Sequence, residues 1–268
     1  MKIPMQGILG KFYLKFLTPL AQVRHLPLVG PLTRRVSSLI LPHDSRVWIQ
    51  VAGGAAKDLW LRVNPRTGND NYMGTIEPEV QKALLDHLRP GDVFYDIGAN
   101  IGFFTLVGSR LVGPGGRVLA FEAEPEALVS LKEHLVRNGC ANAEVKNAAV
   151  WSASGTVEFL RCDPSISPDR GLGRVVTEES AGERIPVPAV ALDDVIETRP
   201  APDFVKCDAE GAEVEVFRGA RRLLREKRPK VLCEIHSQEN GRLLEEMLSN
   251  LGYRLSRCSK AHLLAIPQ

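Results

Sequence analysis

From Glu79 onward the chain alternates compact apolar runs with amphipathic ones. EVQKALLDHLRPGD carries apolar residues at helical spacing and then meets Pro90 and Gly91, which stop a helix. VFYDIGA reads as a short buried strand, GFFTLVGSRLVG as a helix ending at Gly113, and RVLAFEAE as a second strand. PEALVSLKEHLVRNG predicts a helix with Pro125 in its first turn and Gly139 just past its end. AEVKNAAV is then a third strand. The same rhythm returns further on: DFVKCD as strand, EVEVFRGARRLLREK as helix, KVLCEIH as strand, ENGRLLEEMLSNLG as helix, and YRLSRC with HLLAIP as a closing hairpin. Strands alternating with helices predict an α/β fold on a doubly wound, mainly parallel sheet.

Two stretches break the rhythm. Residues 1 to about 80 are irregular, punctuated by Pro19, Pro27, Pro31, Pro42 and Pro65, and only RVWIQVAGGAAKDLWLRVNP has a clear pattern, two strands about Gly53 and Gly54. We therefore expect an N-terminal appendage over 1–75, a basic helical arm plus a β-hairpin, and one domain over 76–268. Between Ser152 and Ala191, GTVEFL and RIPVPAV read as strands around a loop rich in Pro, Gly and Ser, and that loop, from Asp163 to about Glu183, is expected with residues 71–79 to border the open half of a ligand crevice.

Composition narrows the class. The 268 residues are 44% hydrophobic and 25% charged, ordinary values for a globular protein with a sizeable core. A net charge of +2 without a dominant basic block or a recognition motif argues against nucleic acid as a partner. Five scattered cysteines, none in a C-x-x-C pair, argue against a disulfide framework or a zinc site and for a reducing, cytoplasmic setting. From Met1 to His43 the chain has Lys2, Lys11, Lys15, Arg24, Arg34 and Arg35 and no acids up to that point. That arm is expected to pack with a solvated basic face; peripheral contact with an anionic membrane is its functional alternative.

The chemistry begins at VFYDIGANIGFF, where Asp96, Gly98, Asn100 and Gly102 follow a strand at alternate positions. The first strand-to-helix crossing of a doubly wound sheet is a ligand site, and glycines there allow close backbone approach. The dinucleotide spacing G-x-G-x-x-G is absent, and an acid ahead of the loop repels pyrophosphate. It suits a cation instead, and S-adenosylmethionine (SAM), with an ammonium and a sulfonium, is such a ligand. Glu122 ends the next strand roughly 20 residues on, where such folds place the carboxylate for ribose hydroxyls. Alone, D-x-G-x-N-x-G is also a capped turn; the loop and Glu122 together favour the ligand reading.

These residues carry a resemblance. DIGANIGFFTLVGSRLVGPGGRVLAFEAEP resembles the SAM-binding half of class I methyltransferases of the FkbM type, and LDDVIETRPAPDFVKCDAEGAEVEVFRGARRLLREKRPKVLCEIH resembles that family's later elements in the right order. The lead-in, EPEVQKALLDHLRPGDVFYD, is similar as well, with its acid at Glu77. The likeness covers about residues 75–240. Ala123 and Glu124 stand where the family has Pro and Asn, and Cys207 where it has an aliphatic residue. The resemblance implies a seven-stranded Rossmann-like methyltransferase sheet, SAM as cofactor, and O-methylation of a hydroxyl on a sugar, glycolipid or natural product. A SAM-fold protein acting as a binding scaffold without turnover is the competing class.

A second group of acids lies in DFVKCDAEGAE, which delivers Asp208, Glu210 and Glu213 at a strand end, while CEIH delivers Glu234 and His236 to the same edge. Removing a hydroxyl proton near neutral pH suits an imidazole oriented by a carboxylate. His236 is the expected base, with Glu210 and Asp208 as competitors and Asp208 also beside the cofactor. Asp96, Gly98, Asn100, Gly102 and Glu122 are the expected cofactor residues, Asp96 toward the ammonium and Glu122 toward the ribose. Asp208, Glu210, Glu234 and His236 can also ligate Mg²⁺, but no spacing requires it and no metal is expected.

Overall fold

The computed structural model describes residues 46–64, 69–163, 172–176 and 181–268. The basic arm over Met1–His43 and most of the 163–183 loop lie outside the described residues. The chain divides into two compact units, one ending at Ile76 and the other running Glu77–Gln268.

In the first unit, β1 (Val47–Gln50) and β2 (Trp60–Val63) pair antiparallel, as the hairpin pattern predicts, followed by the short helix α1 (Asn69–Met73). The turn is longer than the Gly53–Gly54 pair alone, and Asp58 takes a positive φ of 70° within it.

The second unit begins with α2 (Pro78–His87), β3 (Val93–Ile97), α3 (Phe103–Val112), β4 (Arg117–Glu122), α4 (Pro125–Asn138) and β5 (Ala143–Asn147). There follow β6 (Ala149–Val150), β7 (Gly155–Leu160), β8 (Arg174–Val175), β9 (Arg184–Val190) and the short α5 (Leu192–Val195). Then come β10 (Phe204–Cys207), α6 (Glu213–Arg218), β11 (Lys230–Glu234), α7 (Gln238–Asn250), β12 (Tyr253–Arg257) and β13 (His262–Pro267).

Seven strands form the main sheet in the order β12-β13-β11-β10-β3-β4-β5, and β11, β10, β3, β4 and β5 run parallel. The closing hairpin adds β13 and β12 antiparallel at one edge. From β3 the chain winds outward through β4 and β5, then returns to place β10 on the other flank of β3. That reversal is the switch point, where strand ends part and leave a crevice.

Strand alternation assigns the two faces. Tyr95 and Ile97 of β3, with Leu119, Phe121, Val205, Cys207, Val231 and Cys233, face a core shared with Val216, Phe217, Leu244 and Leu248 of α6 and α7. Phe94 and Asp96 point the other way, against α3: a Cβ on Gly108 of that helix would meet the Phe94 ring at 2.3 Å. Cys207 and Cys233 sit opposite each other in register, fully buried and free, as small apolar side chains.

Two elements differ from the sequence pattern. AEVKNAAV is not one strand: β5 ends at Asn147, and β6 passes to a second, four-stranded sheet ordered β6-β9-β7-β8. EVEVFRGARRLLREK is not one helix either. It breaks at Gly219, where the backbone carbonyl of Trp151 approaches so closely that a Cβ would stand 2.2 Å from it, and resumes as a single π-type turn over Leu223–Lys227. Asp193 caps that turn, its carboxylate accepting from the backbone N–H of Arg222 at 3.0 Å and of Leu223 at 2.8 Å. The LDD segment therefore has a structural task.

Candidate active site

The loop after β3 is shaped by contact with the loop after β10. Gly98 has φ +70°, and a Cβ there would lie 1.8 Å from the Asp208 carbonyl oxygen, so only glycine fits. The Asp208 N–H donates to the Ile97 carbonyl at 3.1 Å, and the Lys206 ammonium donates to the Gly98 carbonyl at 3.3 Å. The two loops are thus clasped at the switch point. Asn100, at φ 49°, donates its backbone N–H to Glu122 Oε2 at 2.6 Å, and Gly102, at φ 91°, opens α3.

A cleft of about 640 Å³, open solvent included, lies on these strand ends. Gly98, Asn100, Glu122, Ala123, Asp208 and Glu210 are among its lining residues. Glu122 is nearly buried; its other oxygen accepts the Glu124 N–H at 2.7 Å, and burial pushes its pKa up to about 7 despite these bonds. Asn100 Oδ1 and Asp208 Oδ1 are buried and have no hydrogen-bond partner among the described residues. Both belong to residues that line the cleft, and an unsatisfied buried acceptor is costly unless a ligand donor reaches it.

Asp96, expected beside a ligand ammonium, is not among the residues that line the cleft. It is fully buried on the α3 face, accepting from the Thr105 hydroxyl at 2.6 Å, with Lys206 Nζ 3.7 Å away. Burial raises the Asp96 pKa, opposed by Lys206. Burial works equally against the Lys206 charge, but Asp208 and Asp96 outweigh it and hold that ammonium above the ordinary lysine value. Asp96 therefore braces the loop through Thr105 and Lys206.

Beyond Asp208 the second cluster assembles around His236. Its Nδ1 is 2.6 Å from Glu213 Oε1, and its Nε2 is 3.5 Å from Glu210 Oε2, 3.7 Å from Asp208 Oδ1 and 3.9 Å from Glu234 Oε1. Glu213 is fully buried; burial alone would raise its pKa, yet the His236 bond, the Gly211 N–H at 2.8 Å and the Asn240 amide at 2.8 Å bring it below the usual value. The Glu213 bond in turn pushes His236 up to about 9 against the effect of burial. Glu210 rises to about 7, from burial first and then from Asp208. Both ring nitrogens of His236 face carboxylates, an arrangement that favours the imidazolium.

Sequence reasoning missed two participants and the contacts of a third. Lys206, in the middle of an apolar strand, balances Asp96 and Asp208. Glu124, in the place of the family's Asn, is nearly fully buried and pairs with Arg161, whose NH2 lies 2.6 Å from Glu124 Oε1. Arg161 also reaches Glu126 and Glu183, each at 2.9 Å, tying the end of β7 to the start of α4. Glu213, noted as one acid of three, is the partner that orients His236.

Comparison with known proteins identifies the family. A model of the "Methyltransferase FkbM domain" matches residues 96–255, from the acid of β3 into β12. The chain is 32% identical over 177 residues to a 31-O-demethyl-FK506 methyltransferase of Streptomyces tacrolimicus, covering 56% of this chain and 67% of that one. It is 29% identical over 175 residues to the hexuronic acid methyltransferase AglP of Haloferax volcanii, covering 65% and 68%. An arsenite methyltransferase of Halobacterium salinarum is 26% identical over 148 residues, 53% of this chain but only 36% of the relative's length. With more than half of its length matched by one family model, this chain belongs to the FkbM methyltransferase domain family, whose cofactor is S-adenosylmethionine.

Proposed function

We propose that this chain is a SAM-dependent O-methyltransferase acting on a hydroxyl of a small-molecule or glycan acceptor, such as a sugar, glycolipid or natural product. The observation that carries the reading is one cleft lined at once by the loop after β3 (Gly98, Asn100), by Glu122 at the end of β4 and by the carboxylates Asp208 and Glu210, with His236 beside them. The names of the two relatives that act on a hexuronic acid and on a 31-O-demethyl compound support the acceptor class.

The residues present fit the cofactor. Glu122 would hold ribose hydroxyls, and the unpartnered Asn100 Oδ1 and Asp208 Oδ1 would take polar hydrogens of the ligand, in a cleft whose acids suit a cation. Bound SAM supplies an electrophilic methyl on a sulfonium. The chain's part is to align the acceptor oxygen, where effective molarity provides much of the rate, and to receive the hydroxyl proton. Because His236 is flanked by carboxylates on both nitrogens, the group free to take that proton is Glu210, which lines the cleft and whose pKa lies near neutrality. His236 and Glu213 then hold Glu210 and Asp208 in place.

Transfer of labelled methyl from SAM to hydroxylated acceptors, followed across pH, tests this. The rate is expected to be half-maximal near pH 7 and to level off about one unit higher, and Glu210→Gln to lower it about 10²–10⁴-fold with SAM affinity kept. A rate that climbs on through pH 9, with the larger loss in His236→Ala, would move the base to the imidazole. SAM binding without transfer to any hydroxyl would overturn the O-methylation reading.

A further inference from the structure

We propose that Glu77, Glu234 and His262 form a binding site for one divalent transition cation, Zn²⁺ or Mn²⁺, beside the catalytic cluster and separate from the cofactor cleft. Strand register brings two of the ligands together: Glu234, the last residue of β11, stands directly opposite His262, the first of β13. Glu77 joins them from the start of α2, where its side chain makes no capping bond to its own helix. His262 Nε2 lies 3.6 Å from Glu77 Oε2 and 3.7 Å from Glu234 Oε2.

The distinguishing observation is a lack of hydrogen bonds. The His262 side chain is only 5% exposed, and its Nε2 is buried without a hydrogen-bond partner among the described residues. Glu77 Oε2 is likewise buried without one. The other ring nitrogen is anchored: Nδ1 is 2.9 Å from the Ser259 hydroxyl and 3.5 Å from Glu79 Oε1. Carboxylates at both ring nitrogens favour the imidazolium while the site is empty, and a dication entering between Glu77 and Glu234 would displace the Nε2 proton while Ser259 and Glu79 hold Nδ1–H, the second-sphere arrangement that orients metal-binding histidines. Two carboxylates leave a charge that a dication neutralises; the nearby ammonium of Lys206 is already engaged with Asp96, Asp208 and Gly98.

One imidazole nitrogen and two carboxylate oxygens suit Zn²⁺ or Mn²⁺ better than Mg²⁺, which prefers oxygen alone. Bonds of about 2.0–2.2 Å place tetrahedral ligands roughly 3.3–3.6 Å apart, close to the two distances from His262 Nε2, and all three ligand atoms lie within 4.8 Å of one another. Asp208, Glu234 and His236 also come within ligand distance of one another. That imidazole, however, has Nδ1 committed to Glu213 and is partly exposed, so it lacks the buried unpaired nitrogen. Glu234 is shared by both groups, with Oε1 toward His236 and Oε2 toward His262. The inference does not depend on the O-methylation reading.

Calorimetric titration of the chelator-stripped full chain with ZnCl₂, MnCl₂ and MgCl₂ decides it. One equivalent of Zn²⁺ or Mn²⁺ should bind, with Mg²⁺ at least tenfold weaker and with at least tenfold loss in His262→Ala. Glu77→Gln keeps the side-chain shape at a partly exposed position and serves as the second variant, with the same expected loss and an unchanged melting temperature without metal. Failure of the wild-type chain to bind either ion would leave the cluster as a plain ion triad and overturn the proposal. So would binding that survives both variants, or that disappears only in His236→Ala.

Discussion

Glu122 lines the cleft from the end of β4. Both of its oxygens are met by backbone N–H groups, from Asn100 and Glu124, and it is still pushed up to about 7 by burial. The sign of its pH effect follows. A carboxyl whose folded pKa lies above its unfolded one costs stability as pH rises from about 4.5 to about 7, and the cost is relieved below that window. The ligand-free protein should therefore lose stability across this range, and Glu122→Gln should flatten that part of the curve in thermal melts at stepped pH. Ribose hydroxyls favour the ionised form, so SAM should bind more tightly as pH rises through 7, and this dependence should vanish in Glu122→Gln. The position of Glu122 was legible from its spacing after the loop. The direction of Asp96 was not, although alternation holds the clue: it shares a face with Phe94, and that face belongs to α3. Pairs such as Glu124 with Arg161, 37 residues apart, leave no local trace in a sequence.

At the scale of elements, the strand–helix rhythm named every strand of the parallel sheet and the closing hairpin, because each buries a continuous apolar run bounded by turn residues. It failed where tertiary contact overrides periodicity. Gly219 reads as an ordinary helix residue until the Trp151 carbonyl is brought against it, and β6 leaves the line of β5 to pair with β9. The same reasoning makes Gly98 the most constrained position of the cofactor loop. Gly98→Ala should lower stability by about 1–3 kcal/mol and weaken SAM binding, since it combines a left-handed backbone with a backbone collision. Gly139→Ala, at a similar φ of +67° but with open space around the added methyl, should cost less and spare binding. Equal effects in the two variants, measured by melting and calorimetry, would contradict the clasp between the β3 and β10 loops.

For the whole molecule, one family model accounts for residues 96–255, and the chain spans about two thirds of the length of two of the relatives described above and 36% of the third. Among the described residues no helix is long and apolar enough to cross a membrane. The residues that line the cleft all belong to the unit Glu77–Gln268. That the loop after β3 and the strand-end acids come together was readable because a parallel sheet brings its strand ends to one edge. The metal cluster was not, since it depends on an antiparallel register that brings His262 across from Glu234. The account as a whole rests on the cleft between β3, β4 and β10 being the SAM site. Isothermal calorimetry with SAM on the wild-type chain and on Glu122→Ala tests that most directly. One equivalent should bind the wild type, and the variant should bind about 5–150-fold more weakly, the equivalent of about 1–3 kcal/mol for a lost buried partner. No binding to the wild type, or unchanged affinity in Glu122→Ala, would contradict it.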